Sequence, residues 1–223
     1  MKPLSSRTAD GTTLQELGKA SIQIVHDLKN QLNGLKLYAT FLRRRIEKSE
    51  RPEDEQQTIT KLIAGLDRAA NDLSTIVQYG REIELKKQPG FDIQKAMRSI
   101  CSQLNDNSVS VVCDADPDPL VGELDPTHLT DALNWISTVV IKHRQNGDNP
   151  RALTVSVKRD TTQLDQAIIE WSGMSPIDHD PFKSFAGSDE IRMSLAAKII
   201  EAHGGSAHYD HNRIQVTLPL TSS

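Results

Sequence analysis

The stretch GKASIQIVHDLKNQLNGL, residues 18–35, decides the fold of the N-terminal part of the chain. Its apolar residues recur at steps of three and four, and the pattern extends from Thr13 to about Ser49 without a proline. At about 100° per residue, such steps keep these positions on one face of a long helix. The stripe runs through Leu14, Leu17, Ser21, Ile24/Val25, Leu28, Leu32, Leu35, Ala39, Leu42 and Ile46.

A second apolar stripe follows a short polar turn that contains Pro52. It predicts a second long helix that ends near Pro89-Gly90, and two helices joined in this way form an antiparallel hairpin. Because a lone amphipathic hairpin leaves much apolar surface open, we expect two copies to pair as a homodimer into a four-helix bundle. The second stripe runs through Ile59, Leu62/Ile63, Leu66, Ala69/Ala70, Leu73, Ile76/Val77 and Ile83.

Beyond Pro89-Gly90 the pattern changes to short β-rich runs interleaved with two helical segments. The β-rich runs are 109–112, 153–158, 167–171 and 213–220, and the helical segments are about 127–143 and 189–203. The fold class expected for the whole chain is therefore α+β. We expect three parts, which are a flexible N-terminus (1–12), the helical hairpin (13–88) and an α/β domain (91–223).

The composition argues against several kinds of partner. Net charge is −4 and no large basic block is present, so no nucleic-acid partner is expected. No apolar run reaches the roughly 18 residues that span a bilayer, and the N-terminus lacks a signal-peptide core. We therefore expect either a cytoplasmic protein or the cytoplasmic part of a longer one whose membrane and sensor parts are not in this sequence. Cys101 and Cys113 lack the spacing of a metal site or a disulfide framework and are expected to be free thiols.

Two clusters of polar residues have the composition of metal sites but not their spacing. His203, His208 and His211 lack the HExxH pattern and any cysteine pairing, which favours ordinary surface histidines. The alternating aspartates of residues 114–118 lack the glycine and the distal glutamate of an EF-hand, which favours a polar turn. No metal ion is therefore expected.

The first helix carries a histidine beside an acid, His26-Asp27. His26 lies about 200° around the helix from Leu28 and is expected to point away from the apolar stripe. A carboxylate that accepts the Nδ1 proton leaves the Nε2 lone pair free to attack a phosphoryl group. On these residues alone, an ordinary surface histidine is the more frequent alternative.

Residues 18–35 resemble the phosphoacceptor box of sensor histidine kinases, which reads His, an acid, two residues, then Asn or Thr and usually Pro. The resemblance implies that His26 accepts the phosphoryl group, that Asp27 assists transfer, and that Asn30 positions water in phosphatase chemistry. Gln31 stands where the proline is usual, which predicts a straighter helix. The family's box lies on the first helix of a dimeric hairpin.

The second part of the chain, from about 91 to 220, resembles the ATP-binding module of the same family, a Bergerat-type α/β sandwich. The likeness rests on the entry at Phe91-Asp92-Ile93, on the helical segment 125–142, on the turn IIEAHGG at 199–205 and on the closing strand VTLPL at 216–220. The family binds ATP and Mg²⁺ there.

The nucleotide-contacting motifs of that family are degenerate in this sequence. Asn134 matches the first asparagine of the asparagine box, but Thr138 replaces the second, which coordinates Mg²⁺ in the family. In the Asp-x-Gly-x-Gly motif, Trp171 takes the place of the adenine-binding aspartate, Gly173 is kept and Ser175 replaces the last glycine. An indole cannot accept a hydrogen bond from the adenine amino group.

A third motif, a glycine-rich segment that lets backbone amides approach the phosphates at a helix start, is also changed. Its glycine positions hold Ser188, Glu190 and Arg192, and Glu190 brings a negative charge to the position expected for the phosphates. The resemblance therefore implies a chain that keeps the histidine and lacks an ATP site, so neither ATP nor Mg²⁺ is an expected cofactor.

The leading hypothesis is a two-component phosphorelay protein, similar to the kinase-like bacterial histidine phosphotransferases. Its partner is a response-regulator receiver domain, whose aspartate exchanges a phosphoryl group with His26. Three alternatives stay open. They are a divergent histidine kinase that still uses ATP and Mg²⁺, a non-catalytic scaffold, and a receiver phosphatase that uses Asp27 and Asn30.

Overall fold

The computed structural model describes residues 10–47, 53–104, 111–115, 118–143, 153–185, 187–210 and 212–221. The chain divides into two compact units, residues 1–82 and 83–223. The first unit is helical and the second contains all of the described β-strands, so the expected α+β fold class is confirmed. Within the described helices, none is long and apolar enough to cross a membrane.

The first unit is the helical hairpin that the two stripes predict. Helix α1 spans Asp10–Glu47 and helix α2 spans Glu53–Gly80, and the two pack against each other. Small side chains, Ala39 on α1 and Ala70 on α2, are buried at the contact, which lets the helices approach closely. Lys36 Nζ lies 2.5 Å from an Asp67 carboxylate oxygen and links the helices at the surface.

The apolar stripe of α1 is only partly covered in the folded hairpin. Val25 and Leu32 are half-buried. Leu28, Leu35 and Leu42, at intervals of seven residues, are 44–54 % exposed. We call these three leucines, with the exposed Tyr38 and Phe41, the apolar seam of α1. The contact between α1 and α2 therefore covers part of the apolar surface and leaves the seam open.

The second unit is a five-stranded sheet with helices against it. The strand order is β2-β4-β5-β7-β6, in which β2 and β4 run parallel and the other pairs are antiparallel. A separate antiparallel pair joins β1 and β3. The elements are β1 Gln88–Asp92, α3 Ile93–Leu104, β2 Val111–Ala115, β3 Val121–Leu124, α4 Pro126–Lys142, β4 Leu153–Arg159, β5 Gln166–Ser172, α5 Ser188–Ala202, β6 Ser206–Asp210 and β7 Arg213–Pro219.

The core of this unit lies between one face of the large sheet and the helices that pack on it. Burial alternates along the central strands, so every second residue points into the core. Helix α3 packs on β2, α5 packs on β6 and β7, and α4 packs against both α3 and α5. The core-facing residues of the three central strands are Leu153, Val155, Val157, Ala167, Ile169, Trp171, Ile214, Val216 and Leu218.

Asp125 caps the N-terminus of α4 and joins it to the preceding chain. Its Oδ1 accepts hydrogen bonds from the amides of Thr127 and His128, both at 3.0 Å, which satisfies donors that a helix start leaves open. Its Oδ2 accepts from the amide of Lys86 at 2.7 Å. Burial acts to raise the pKa of this carboxyl, but the hydrogen bonds from His128 and Lys86 outweigh it and lower the pKa to about 2.

His203 is buried, so the expectation of a surface histidine at this position is wrong. Its Nε2 accepts a hydrogen bond from the amide of Asp125 at 3.0 Å, and its Nδ1 lies 2.8 Å from the carbonyl of Ile199. These partners require a neutral ring with the proton on Nδ1, because a carbonyl accepts and an amide donates. His208 is exposed as expected, and His211 lies outside the described residues.

We expect His203 to make the protein less stable in mild acid. Burial lowers the pKa of the folded imidazole, whereas the unfolded imidazole takes up a proton near pH 6.5. The stabilisation is therefore complete above about pH 6.5 and is lost as the pH falls below it. Urea midpoints measured at pH 7.5 and pH 5.5 test this dependence, and His203→Gln should weaken it.

The matched control is His208→Gln, which removes an exposed histidine of the same unit and should leave the pH dependence unchanged. Asp125 does not interfere, since its pKa of about 2 confines its own loss of stabilisation to below about pH 4. Equal pH dependence in the wild-type protein and in His203→Gln would contradict the assignment.

Candidate functional site

Residues 18–35, which resemble a phosphoacceptor box, lie within α1, and a helix here is what the sequence predicts. The side chains of His26 and Asp27 are outside the described residues, so the expected exposure of His26 stays a prediction. Asn30, one helical turn after His26, is exposed, and Leu28 between them is 44 % exposed. The apolar seam of α1 therefore begins at Leu28, within one turn of His26.

Trp171, which the resemblance places at the adenine-binding aspartate's position, lies in the core of the second unit. It is on β5, the middle strand of the sheet, between Val155 of β4 and Ile214 of β7, and its exposed fraction is 0 %. Its indole Nε1 donates a 3.0 Å hydrogen bond to the Ser137 hydroxyl of α4. The Ser137 hydroxyl donates in turn to the Leu133 carbonyl at 2.8 Å. The indole is thus enclosed, and its one polar atom has a partner.

The chain just beyond β5 closes against the same helix. Gly173 has φ of +95°, a left-handed conformation that glycine adopts without steric cost and that turns the chain at the strand's end. Met174 is then fully buried, and the amide of Ser175 donates a 2.6 Å hydrogen bond to the His143 carbonyl at the end of α4. The remnant of the Asp-x-Gly-x-Gly motif therefore makes a packed turn.

The residues that follow, 173–185, form what we call the covering segment. Phe182 is buried, and the Ser194 hydroxyl of α5 donates a 2.9 Å hydrogen bond to the Ser184 carbonyl. The Tyr209 hydroxyl accepts from the Ile177 amide at 2.5 Å and lies 3.0 Å from the Ile177 carbonyl. Hydrogen bonds from α4, α5 and β6 therefore hold this segment against the domain at three points.

The start of α5 carries the residues that replace the glycine-rich motif. Both carboxylate oxygens of Asp189 accept from Lys142 Nζ at 2.8 Å, which ties the first turn of α5 to the last turn of α4. A carboxylate oxygen of Glu190 lies 3.8 Å from His179 Nε2. Ser188 and Arg192 flank this turn and are half-buried. Two acidic side chains, Asp189 and Glu190, thus stand in the first turn of α5.

Asn134 and Thr138 do not face a common site with Trp171. The Thr138 hydroxyl donates a 2.8 Å hydrogen bond to the Asn134 carbonyl of its own helix. Asn134 is exposed and lines an open groove of about 580 Å³ between α4, α3 and β1, and Trp171 and Glu190 are not part of its lining. The structure therefore brings Trp171 together with Ser137, a residue that the sequence did not single out.

The described residues contain no group of three or more His, Cys, Asp or Glu side chains that could hold a metal ion. In the turn expected at 114–118, Asp114 lies at the end of β2 and pairs with Lys158 at 3.1 Å. A carboxylate next to an ammonium group has its charge balanced already. Asp116 falls outside the described residues.

Comparison with solved structures identifies the fold. Full-length ShkA, in its complex with AMPPNP, matches with a TM-score of 0.69 at 15 % identity over 90 % of this chain. The histidine kinase AdeS of Acinetobacter baumannii matches with a TM-score of 0.59 at 15 % identity, over 88 % of this chain and 98 % of AdeS. This chain therefore has the fold of a sensor histidine kinase catalytic core.

The match with ShkA covers 45 % of the ShkA chain, so this chain spans less than half of that protein's length. No protein-family model matches the sequence, and no curated protein is similar to it in sequence. At 15 % identity the likeness concerns the fold, and the chemistry of the site has to be argued from its own residues.

We expect Trp171 to act as a structural core residue. Trp171→Ala should destabilise the protein by about 3–5 kcal/mol, since it leaves an aromatic-sized cavity. Ser137→Ala should cost about 1–3 kcal/mol, because the indole N–H would be left buried without a partner. Urea unfolding of both variants measures these costs.

Trp135→Phe is the matched control, because Trp135 of α4 is the chain's other tryptophan and is half-buried. Trp135→Phe should lower the free energy of unfolding by less than the same substitution at Trp171, Trp171→Phe. A Trp171→Ala variant as stable as the wild-type protein would contradict this account.

Proposed function

We propose that this protein is a histidine phosphotransferase of a phosphorelay, which exchanges a phosphoryl group between His26 and a receiver aspartate without using ATP. The observation that carries the proposal is the enclosed Trp171, which fills the position of the adenine-binding aspartate and donates its N–H to Ser137. The fold is that of a histidine kinase core, and of the nucleotide-contacting positions named above only Asn134 and Gly173 match the family's motifs.

Three features argue against ATP binding. At the base position, Trp171 offers no acceptor for an adenine amino group. At the phosphate position, the Glu190 carboxylate in the first turn of α5 would repel a triphosphate. At about 4 Å and an effective dielectric constant of about 20, one like-charge pair costs on the order of 4 kcal/mol. At the metal position, Thr138 replaces the asparagine, and its hydroxyl donates to the Asn134 carbonyl of its own helix.

The proposed reaction takes place on α1. The Nε2 lone pair of His26 attacks the phosphorus of a receiver's aspartyl phosphate, a P–N bond forms, and the receiver's carboxylate leaves with the electrons of the P–O bond. Asp27 holds the Nδ1 proton and stabilises the positive charge on the ring. The reverse reaction regenerates the acyl phosphate, so the direction of transfer depends on the relative phosphorylation of the partners.

We propose that the protein works as a homodimer, joined through the apolar seam of α1. An apolar row along one helix that its own hairpin leaves exposed is typical of a surface that a second helix covers. The exposed leucines Leu28, Leu35 and Leu42 support a four-helix bundle formed by two hairpins.

An ATP-dependent histidine kinase is the second candidate, because ShkA, with the same fold, is in complex with the ATP analogue AMPPNP. Titration of the purified chain with ATP and Mg²⁺ distinguishes the two. The phosphotransferase predicts no saturable binding by calorimetry up to millimolar nucleotide and no labelling from radioactive ATP. Micromolar binding, or ATP-dependent labelling that His26→Ala abolishes, would establish the kinase instead.

We expect a phosphorylated receiver domain to label the wild-type protein but not His26→Ala. Asp27→Asn should slow transfer by roughly 100-fold or more, since it removes the group that balances the imidazolium charge. Rapid-quench measurement of acid-labile, alkali-stable phosphate on the chain tests both. His179→Ala, which changes a largely exposed histidine of the second unit, is the control that should transfer normally.

Loss of receiver phosphate without label on the chain would favour the phosphatase. In that case Asn30→Ala should abolish the loss and His26→Ala should not. If receiver phosphate is stable in the presence of the wild-type protein, the scaffold is favoured.

We expect Leu35→Glu to convert the dimer into a monomer, because a carboxylate at the centre of the seam would be buried without a partner. Sedimentation equilibrium measures the change in mass. Leu164→Glu is the matched control, since Leu164 is 67 % exposed on the second unit and its replacement should leave the dimer intact. A wild-type protein that sediments as a monomer at micromolar concentration would contradict the proposal.

A further inference from the structure

Cys101 and Cys113 lie on different elements of the second unit, α3 and the edge strand β2. Both are free thiols, as the sequence predicted. Their spacing in the sequence gives no reason to pair them. Packing of α3 on β2 nevertheless brings the two elements together.

The strand register determines which way Cys113 faces. In the parallel pair of β2 and β4, Cys113 is aligned with Val155, which is fully buried. Aligned residues of neighbouring strands point to the same face of a sheet. Cys113 therefore points to the face on which the helices pack, although its place on the edge strand leaves it only half-buried.

Cys101 approaches from the opposite side of that interface. It belongs to the buried face of α3, together with Ile93, Met97 and Ile100. The Cys113 thiol is among the groups that raise the pKa of Cys101, as expected for two side chains that face each other across this interface. A helix residue and a strand residue thus meet as a pair of adjacent thiols.

We propose that Cys101 and Cys113 are a redox-active dithiol, which a hydroperoxide oxidises reversibly to an intramolecular disulfide. The Cys113 thiolate attacks the terminal oxygen of the peroxide, which gives a sulfenic acid and, from hydrogen peroxide, one water. The Cys101 sulfur then attacks the Cys113 sulfur and loses its proton, and the sulfenic oxygen leaves as a second water. Two thiols and one hydrogen peroxide thus become one disulfide and two waters.

Exposure assigns the order of these steps. Cys113 is half-buried and can meet a small oxidant, whereas Cys101 is 3 % exposed. Burial, reinforced by the neighbouring Cys113 thiol, raises the pKa of Cys101 to about 12. Cys101 therefore stays protonated at neutral pH and is a poor first nucleophile, which leaves the attack on the peroxide to the more accessible Cys113.

The new bond requires a movement of β2 toward α3. A disulfide requires the sulfur atoms to approach to about 2.05 Å, closer than a hydrogen-bonded contact. Strand β2 is at the edge of the large sheet, with β4 as its neighbour on one side. An edge strand can shift toward a helix with less disruption than a central strand, which has hydrogen-bonded ladders on both sides.

The test treats the full chain with hydrogen peroxide, alkylates the remaining thiols and analyses the fragments by mass spectrometry. Trypsin leaves both cysteines on one fragment, residues 99–142, which should lose the mass of two hydrogen atoms and regain it with dithiothreitol. Cleavage before Asp106 separates the cysteines, so Asp-N digestion should give two peptides joined by a disulfide.

The order is tested with single variants and dimedone, a probe that traps sulfenic acids. Cys101→Ser should accumulate the dimedone adduct at Cys113, while Cys113→Ser should leave Cys101 unmodified. The proposal is overturned if peroxide leaves both wild-type thiols open to alkylation, joins two chains instead, or converts Cys113 to sulfinic acid without a disulfide. The wild-type fragment masses decide this even where a variant does not fold.

Discussion

The hydrogen bond between the Trp171 indole and the Ser137 hydroxyl holds the middle of the sheet against α4. A large aromatic ring with one polar atom is stable in a core when that atom has a partner, and Ser137 supplies it. Because Trp171 is on the central strand, its neighbours on β4 and β7 and the turn at Gly173 pack around it. A ligand at this position would have to displace the indole ring, and the residues packed around the ring oppose that displacement.

A second group of hydrogen bonds organises the other end of α4. The Asp125 carboxylate accepts hydrogen bonds from the amides of Lys86, Thr127 and His128. The Asp125 amide donates a hydrogen bond to His203 Nε2 at the end of α5. One residue thereby joins the chain that enters the domain, the start of one helix and the end of another. The low pKa of the Asp125 carboxyl follows from the hydrogen bonds that its carboxylate accepts from these three amides. The neutral state of His203 follows from the hydrogen bond that its Nε2 accepts from the Asp125 amide.

The parts of the fold with a strong local pattern could be predicted from the sequence. The stripes of α1 and α2 repeat over many turns, and the expected ends of α1 agree with the structure to within about three residues. Helix α2 ends at Gly80, well before the expected end near Pro89-Gly90. Helix α3 was not predicted, although its apolar residues recur at steps of three and four and mark one face of a helix; they are Ile93, Ala96, Met97, Ile100, Cys101 and Leu104.

Contacts between distant residues could not be predicted in this way. The substitution at Trp171 was visible from the motif, but its partner Ser137 is 34 residues away and has no distinguishing local pattern. His203 was mistaken for a surface residue because its burial depends on an amide 78 residues away. The neighbouring thiols of Cys101 and Cys113 are a third case, since strand register and helix packing create the pair.

The seven-residue interval of Leu28, Leu35 and Leu42 has a geometric consequence. Two turns of an undistorted α-helix take about 7.2 residues, so a row repeated every seven drifts backward around the helix by about 20° per repeat. A straight partner would lose contact with this row within a few turns. A helix that follows the row along its whole length has to wind around α1 with a left-handed superhelical twist.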